Sequence, residues 1–403
     1  MTLAPLIHDA RSAPAPRLRR RRRTATGVAA SVAAMLALTL PATGTAASVR
    51  DKADPAGAKL QAILDRVMSA PEPPFPGVAL RVDRPGHAAW TGAAGKADVK
   101  RGTPMRAGDR FRAGSIMKPF VAAATLQLVE AGRFRLDDRL PAVLPARTLK
   151  RFPEAGRITV RMLLNHTSGL GRYDDDAFNR EVIAQPRRRW TVAELLDRAA
   201  AQPRFAAPGV RHAYSNTNYN LLGLVLEHAT GKPWRTVVRE RVIDRLGLRH
   251  TSLPEPGHTP AGRDIARAYE HVDGALRDVT DVDSSMAGAA GGHALLTTTA
   301  DLSRFLDSLL EGKLFRHRRT LRQMRRFVAA PSPEGQVGYG LGLERYIFGG
   351  TEMVGHLGTT AGFRVVMGRL PAQRTTIVMV ITTPDDPTPV LMPALQLLTG
   401  AAS

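Results

Sequence analysis

The chain has 403 residues, 57 Lys+Arg against 36 Asp+Glu, a formal charge of +21 and no cysteine. The missing cysteines exclude disulfides, thiolate catalysis and Cys-based metal sites together. The charge favours anionic surroundings, yet the sequence holds no zinc-finger spacing, no basic helix with heptads and no aromatic stacking motif, which argues against nucleic acid.

Taken in order, the chain opens on a basic run, Arg17 and Arg19 to Arg23, followed by an uncharged stretch to Val49 with its apolar heart at Gly27 to Leu40. With the small-residue exit Thr45-Ala46-Ala47, residues 1–47 read as a secretory signal. The apolar part, closed by Pro41, is short for a bilayer span, so a single anchor is the alternative; the paired arginines also permit a twin-arginine route. An exported chain of this charge is expected outside the cell, beside wall polymers carrying phosphates or carboxylates.

Leu60, Ile63, Leu64 and Val67 recur at helical spacing and are stopped by Pro71 and Pro73. Residues 77–82 and 87–91 read as two strands around the turn Asp83 to Gly86, the second ending at a glycine. A helix is expected over 115–131, stopped at Gly132. Helical pieces then dominate: 159–165, 191–201 with a Thr191/Glu194 capping box, 217–229 and 234–246. A helix over 299–310 precedes strands at 338–348, 363–370 and 375–381 and a last helix at 390–398. Strands at both ends and helices between them give a mixed α/β lobe, residues 50–135 and 285–403, with a mainly helical lobe, 136–284, inserted.

Three short pieces could carry chemistry. Ser115-Ile116-Met117-Lys118 puts a hydroxyl and an amine on one helical turn, at a helix N-terminus whose N–H groups could meet a developing oxyanion. Tyr214-Ser215-Asn216 offers a phenol that can relay a proton and an amide that both donates and accepts. Gly355-His356-Leu357-Gly358-Thr359 lies on the first of two strands between Thr351 and Leu370, with glycines that admit a close backbone approach. Each has a bland alternative: an N-cap serine, a packed tyrosine, an edge histidine.

In this order and at these separations the three pieces resemble the motifs of the serine beta-lactamase and penicillin-binding peptidase superfamily, and most closely the secreted D-alanyl-D-alanine carboxypeptidases and class C-like hydrolases. The phrases Leu163-Leu164-Asn165-His166-Thr167-Ser168-Gly169-Leu170 and Tyr339-Gly340-Leu341-Gly342-Leu343 extend the resemblance over roughly residues 55–400. It implies an α/β fold, an antiparallel sheet flanked by helices plus a helical lobe. It also implies Ser115 as nucleophile, Lys118 as its base, Tyr214 as proton shuttle, Asn216 as holder of the substrate amide and His356 in an electrostatic, orienting role near Tyr214. Backbone N–H groups of Ser115 and Thr359 would form the oxyanion hole beside Gly358. No cofactor or metal is implied, and His166 reads as a structural turn residue.

Leu357 departs from the family pattern where some carboxypeptidases carry a threonine, and Ser285-Met286-Ala287 stands where a tryptophan often lines the cleft. Thr359 and Arg345 are the candidates for a substrate's terminal carboxylate. The expected function is a monomeric, secreted D-alanyl-D-alanine carboxypeptidase acting on D-amino-acid-terminated peptides and acylated by beta-lactams. A class C-like beta-lactamase or esterase, and a non-catalytic wall-binding or penicillin-sensing protein, are the alternatives.

Overall fold

The structure, a computed structural model, describes residues 52–258, 262–290 and 294–400; the expected signal, residues 1–47, lies outside them. In chain order the strands are β1 (Gly77–Asp83), β2 (Trp90–Asp98), β3 (Thr103–Pro104), β4 (Phe111–Arg112), β5 (Tyr269–Val272), β6 (Ala275–Asp278), β7 (Leu296–Thr297), β8 (Val328–Ala329), β9 (Gln336–Tyr339), β10 (Glu344–Phe348), β11 (Thr351–Thr360), β12 (Phe363–Leu370) and β13 (Thr375–Ile381). Nine of them form one antiparallel sheet in the order β3-β2-β1-β13-β12-β11-β10-β9-β8. The N-terminal and C-terminal strands meet at its centre, where Val78 faces Ile381.

A sheet covered on both faces needs central strands apolar on both sides, and β13 is buried at every position. Ile377, Met379 and Ile381 face the helices Gly57–Met68 and Thr388–Thr399, while Val378 and Val380 join the larger core around the helix Met117–Glu130. That second face carries the helical elements between residues 140 and 246. The expected α/β lobe with a helical lobe is the observed architecture.

Four local expectations are corrected. β2 does not end at Gly92 but runs to Asp98. Its glycines are places of close approach rather than a stop, since a Cβ at Gly92 would lie 2.4 Å from Gln61 Oε1 and one at Gly95 2.6 Å from Met68 Cε. The strand expected at 338–348 is two strands, because Gly342, at φ +81°, turns the chain against Ala122 and Tyr219. The helix expected at 234–246 contains a π-turn at Arg239–Ile243. The 136–284 segment also holds the β5–β6 hairpin and the helix Asp176–Ala184, capped by Asp175.

Candidate active site

Ser115, the expected nucleophile, lies in a 3₁₀ turn, Gly114–Ile116, that feeds the helix Met117–Glu130. That helix is buried from Met117 to Leu128 because apolar residues occupy nearly every face, and it carries Lys118 into the interior with them. Two glycines set how close the turn comes to β11. A Cβ at Gly114 would lie 2.7 Å from the Thr359 carbonyl oxygen, and one at Gly358 2.2 Å from that of Ala113. Two backbones therefore touch where any side chain would part them.

Lys118 Nζ lies 2.8 Å from Ser115 Oγ. Burial lowers the amine's pKa to about 7, against the pull of the Asp174 and Glu344 carboxylates, while Arg172 assists the lowering. A large fraction is thus neutral near pH 7 and able to take the Ser115 proton. The ammonium form sits 4.8 Å from the centre of the Tyr214 ring. Burial and Glu344 push the Tyr214 phenol well above its ordinary range, opposed by a hydrogen bond from Ser115. Tyr214 is therefore a neutral phenol, suited to passing a proton rather than to starting as the base.

Asn216 opens the helix Asn216–Thr230. Its Nδ2 donates to Asp174 Oδ2 at 2.8 Å, and Arg172 donates to the same carboxylate oxygen at 2.9 Å. The remaining acceptors of this pair, Asn216 Oδ1 and Asp174 Oδ1, are buried without a hydrogen-bond partner. Both residues line a cavity of about 810 Å³ that also reaches Ser115 and Thr359. Val182, Ile183, Met286 and Ala287 give it an apolar wall, and Glu270, on β5, closes another side.

His356 is fully buried on β11 and lies behind the cavity wall rather than on it. Burial, then the charge of Lys118, lowers its pKa to about 3. The ring is neutral: Nδ1–H points to the Leu357 carbonyl at 2.5 Å, and Nε2 accepts from the Tyr339 hydroxyl at 3.0 Å. The 3.5 Å approach of Glu344 to Nδ1 is accordingly no ion pair. The expected role near Tyr214 can be one of packing and orientation, at 6.4 Å between ring centres, but not of positive charge.

Two residues enter the site that the sequence reading did not place there. His166, held at φ +57° and fully buried, stacks on Tyr214 with ring centres 4.2 Å apart. Its Nδ1 accepts from the Ser215 N–H at 3.2 Å and from Asn218 Nδ2 at 2.9 Å, so the turn residue also fixes the Tyr214 ring. Glu344, buried on β10, accepts from the Leu357 N–H at 2.6 Å and from the Tyr346 hydroxyl at 3.0 Å. Desolvation raises its pKa to about 7 in spite of those bonds. A charged type directly after Tyr339-Gly340-Leu341-Gly342-Leu343 was the only sequence signal for it.

Arg345 is not brought to the cavity. It lies on β10, where its Nε donates to Glu352 on β11 at 2.8 Å. The cation at Thr359 is instead Arg364, its register partner on β12, which donates to Thr359 Oγ1 at 2.7 Å and to Glu334 at 2.8 Å. Met286 and Ala287 do line the cavity, while Ser285 turns inward to accept from the Trp190 N–H at 2.7 Å.

A serine and a depressed-pKa lysine at a helix start, a half-buried tyrosine beside them and a glycine-bearing strand closing the third side define a serine hydrolase site on a two-lobed α/β fold. Residues 60–401 match the Beta-lactamase family, and the chain belongs to that family, within the beta-lactamase and penicillin-binding protein superfamily. It is 30% identical over 204 residues to penicillin-binding protein 4 of Amycolatopsis lactamdurans, covering 48% of this chain and 49% of that one. Esterase EstB of Burkholderia gladioli is 30% identical over 276 residues, covering 62% and 69%. A D-aminopeptidase of Cereibacter sphaeroides is 27% identical over 320 residues, covering 79% and 59%. The match thus spans about half of the penicillin-binding protein and three fifths of the aminopeptidase. Among solved structures, a D-stereospecific amidohydrolase from Streptomyces sp. superposes with a TM-score of 0.75 at 30% identity, covering 86% of this chain and 99% of that one. The D-amino acid amidase from Ochrobactrum anthropi SV3, in complex with D-phenylalanine, gives 0.73 at 28% identity, covering 86% and 99%.

Proposed function

We propose that this protein is an exported acyl-serine hydrolase that cleaves amides of D-amino acids carrying a free or nearby N–H donor, of the D-amidase or D-aminopeptidase type. The carrying observation is the pair of unpartnered buried acceptors, Asp174 Oδ1 and Asn216 Oδ1, on the wall that also holds Ser115. A buried acceptor left open costs about 1–3 kcal/mol, which a substrate ammonium or amide N–H would recover on binding. The apolar wall of Val182, Ile183 and Met286 supports a bulky apolar D side chain.

In this reading neutral Lys118 takes the Ser115 proton as Oγ bonds to the carbonyl carbon. The oxyanion is held by the backbone N–H groups of Ser115 and Thr359. Tyr214 gives its proton to the leaving nitrogen as the C–N bond breaks, and Lys118 returns the serine's proton to Tyr214. Water then loses a proton to neutral Lys118 as its oxygen bonds to the ester carbonyl carbon, the bond from that carbon to Ser115 Oγ breaks to release the acid, and Lys118 returns the proton to Ser115.

A second reading, D-alanyl-D-alanine carboxypeptidase, is favoured by Arg364 at Thr359, a cation-hydroxyl pair able to meet a terminal carboxylate. Comparing kcat/KM on an aromatic D-amino acid amide, its L enantiomer, its N-acetyl derivative, an acylated D-Ala-D-Ala peptide, nitrocefin and a p-nitrophenyl ester separates them. The favoured reading expects the free D-amide to lead its N-acetyl form and its enantiomer by at least about tenfold. Leadership of the acylated D-Ala-D-Ala peptide would install the carboxypeptidase, and of the ester, without stereochemical preference, the esterase.

A further inference from the structure

At the far end of the nucleophile helix the surface changes character. Residues 312–333 contain no acidic residue, and Arg316, Arg318, Arg319, Arg322, Arg325 and Arg326 are all exposed around the short helix Arg318–Met324. Among the described residues none of these six has an ion-pair partner, whereas Arg81, Arg110, Arg161, Arg267 and Arg369 elsewhere are each paired with a carboxylate. Burial lowers the Arg241 pKa, against the pull of Glu240, and the nearby charges of Arg133 and Arg316 add to the lowering. The cluster therefore stores like-charge repulsion that a counter-charge would relieve.

The segment is firmly held. Glu130, the last residue of the nucleophile helix, accepts from the N–H groups of Arg316 and His317 at 2.9 and 3.0 Å and from the Thr320 hydroxyl at 2.5 Å. Leu314, Thr320 and Met324 are buried beneath it. On the outer face Arg318, Arg322 and Arg325 recur at helical spacing, one residue per turn, as a single stripe. Helix stability does not explain the stripe: cations favour the C-terminal end of a helix and oppose the N-terminal end, and Arg318 and Arg319 stand in the first turn.

We infer that this arginine face is a docking surface for a linear phosphate-bearing polymer. Guanidinium groups match phosphate oxygens bidentately. A bilayer is disfavoured because none of the exposed large apolar residues, Val99, Val210, Leu276, Val337 and Ile347, lies in the segment. Nucleic acid is disfavoured because Phe315 is buried and no other aromatic residue but Phe327 is present to stack on bases. The helix from Met117 to Glu130 spans about 20 Å, so a polymer held here stands clear of Ser115.

The test uses the whole chain and inorganic polyphosphate of defined length, with duplex DNA and vesicles of mixed neutral and anionic phospholipid as parallel probes, titrated across salt. Counterion release gives a slope of about −0.7 per phosphate contact on a single strand. Arg318→Gln/Arg319→Gln/Arg322→Gln should therefore lower the slope of log K against log salt by about 2 and weaken polyphosphate binding about 100-fold at 0.1 M. An Arg66→Gln/Arg101→Gln/Arg147→Gln control of equal charge should change binding less than about threefold, and both variants should keep wild-type turnover of a small substrate. Equal losses in the two triple variants, or none in the first, would overturn the assignment. Per-phosphate affinity at least tenfold higher for DNA, or tighter binding to the vesicles, at the same ionic strength would replace the partner with that one.

Discussion

Beneath Ser115, Lys118, His166 and His356 are fully buried, and each is held by named neighbours within hydrogen-bond reach. At the rim of the same cavity Arg172, Arg180 and Arg277 stand exposed; Arg172 reaches in to the half-buried Asp174, and Arg277 pairs with the exposed Asp273. Burial below shifts the amine and both imidazoles downward, so protonation there is fixed by the fold. Solvent above screens the charges, so an exposed pair contributes little by itself. On the proposed reading the floor sets what chemistry proceeds and at what pH, and the rim sets which molecule receives it. Changes below should act on kcat and the pH profile; changes above should act on selectivity.

The largest expected effect comes from the floor. Ser115→Ala should lose acyl-adduct formation entirely in mass spectrometry, and Lys118→Met should lower kcat/KM about 10³- to 10⁴-fold. Lys118→Met carries a second signature. A lysine whose pKa falls from 10.5 to about 7 on folding is bound with fewer protons in the native state, so it destabilises the fold below its unfolded pKa. The penalty reaches about 4 kcal/mol near pH 7 and vanishes above pH 10.5. The inactive variant should therefore melt higher than wild type at pH 7, with the gap closing as pH rises towards 10.5. A variant that is inactive and equally stable would break the link between burial and function.

Tyr214→Phe should cost about 10²-fold in kcat with little change in KM, since it removes a proton relay and keeps the ring stacked on His166. On wild type, kcat/KM should rise through an apparent pKa of about 7 as Lys118 becomes neutral, without a fall below pH 10 from Tyr214. The groups facing the amine are Asp174 and Glu344, Arg172, the neutral His166 and His356, and the phenols of Tyr214 and Tyr219. Because Glu344 holds the Lys118 pKa up, Glu344→Gln should move the rising limb to lower pH. An unmoved limb would show that the carboxylate acts only as a strand clamp through Leu357.

Rim changes should be smaller and depend on the substrate. Asp174→Asn should lower kcat/KM about tenfold on a free D-amino acid amide and much less on its N-acetyl form. Because Asp174 is the larger of the two carboxylate charges holding the Lys118 pKa up, it should also move the rising limb to lower pH on both substrates. Arg345→Gln should leave every substrate within about twofold, since it pairs with Glu352 at the end of β11 away from the cavity. Loss of the N-acetyl substrate in parallel would make Asp174 a structural brace for Asn216 instead.

Much of the floor was legible because its spacing is local. Ser115 and Lys118 share a helical turn, Tyr214 and Asn216 flank one helix start, and the residue alternation of β11 and β12 survives as a hairpin. His166 and Glu344 were not legible in the same way. Their contacts join residues 49 and 13 positions apart, and nothing in a one-dimensional pattern says that Ser215 meets His166 or that Leu357 meets Glu344. Arg345 failed for a related reason: proximity in sequence to a motif does not determine which neighbouring strand a side chain reaches. The register of Thr359 with Arg364 would have pointed to the arginine that stands beside Thr359, given the Ala361-Gly362 turn between the strands. Glycines misled the reading of β2, since Gly92 and Gly95 serve the crossing helix rather than end the strand.

The contact between the Gly114–Ile116 turn and β11 also has a bearing on how such a hydrolase could diversify. With Gly114 and Gly358 each blocked by backbone atoms of the other segment, positions 114 and 358 offer no foothold to a new side chain, and a saturation library should return glycine alone at both. Ile183 and Met286 on the opposite wall bear less restriction, because both are only partly buried and line the cavity. Lineages, natural or selected in the laboratory, would therefore acquire new substrates by drifting along that wall while the strand-and-turn contact stays frozen, one half of the cleft serving as heirloom and the other as draft.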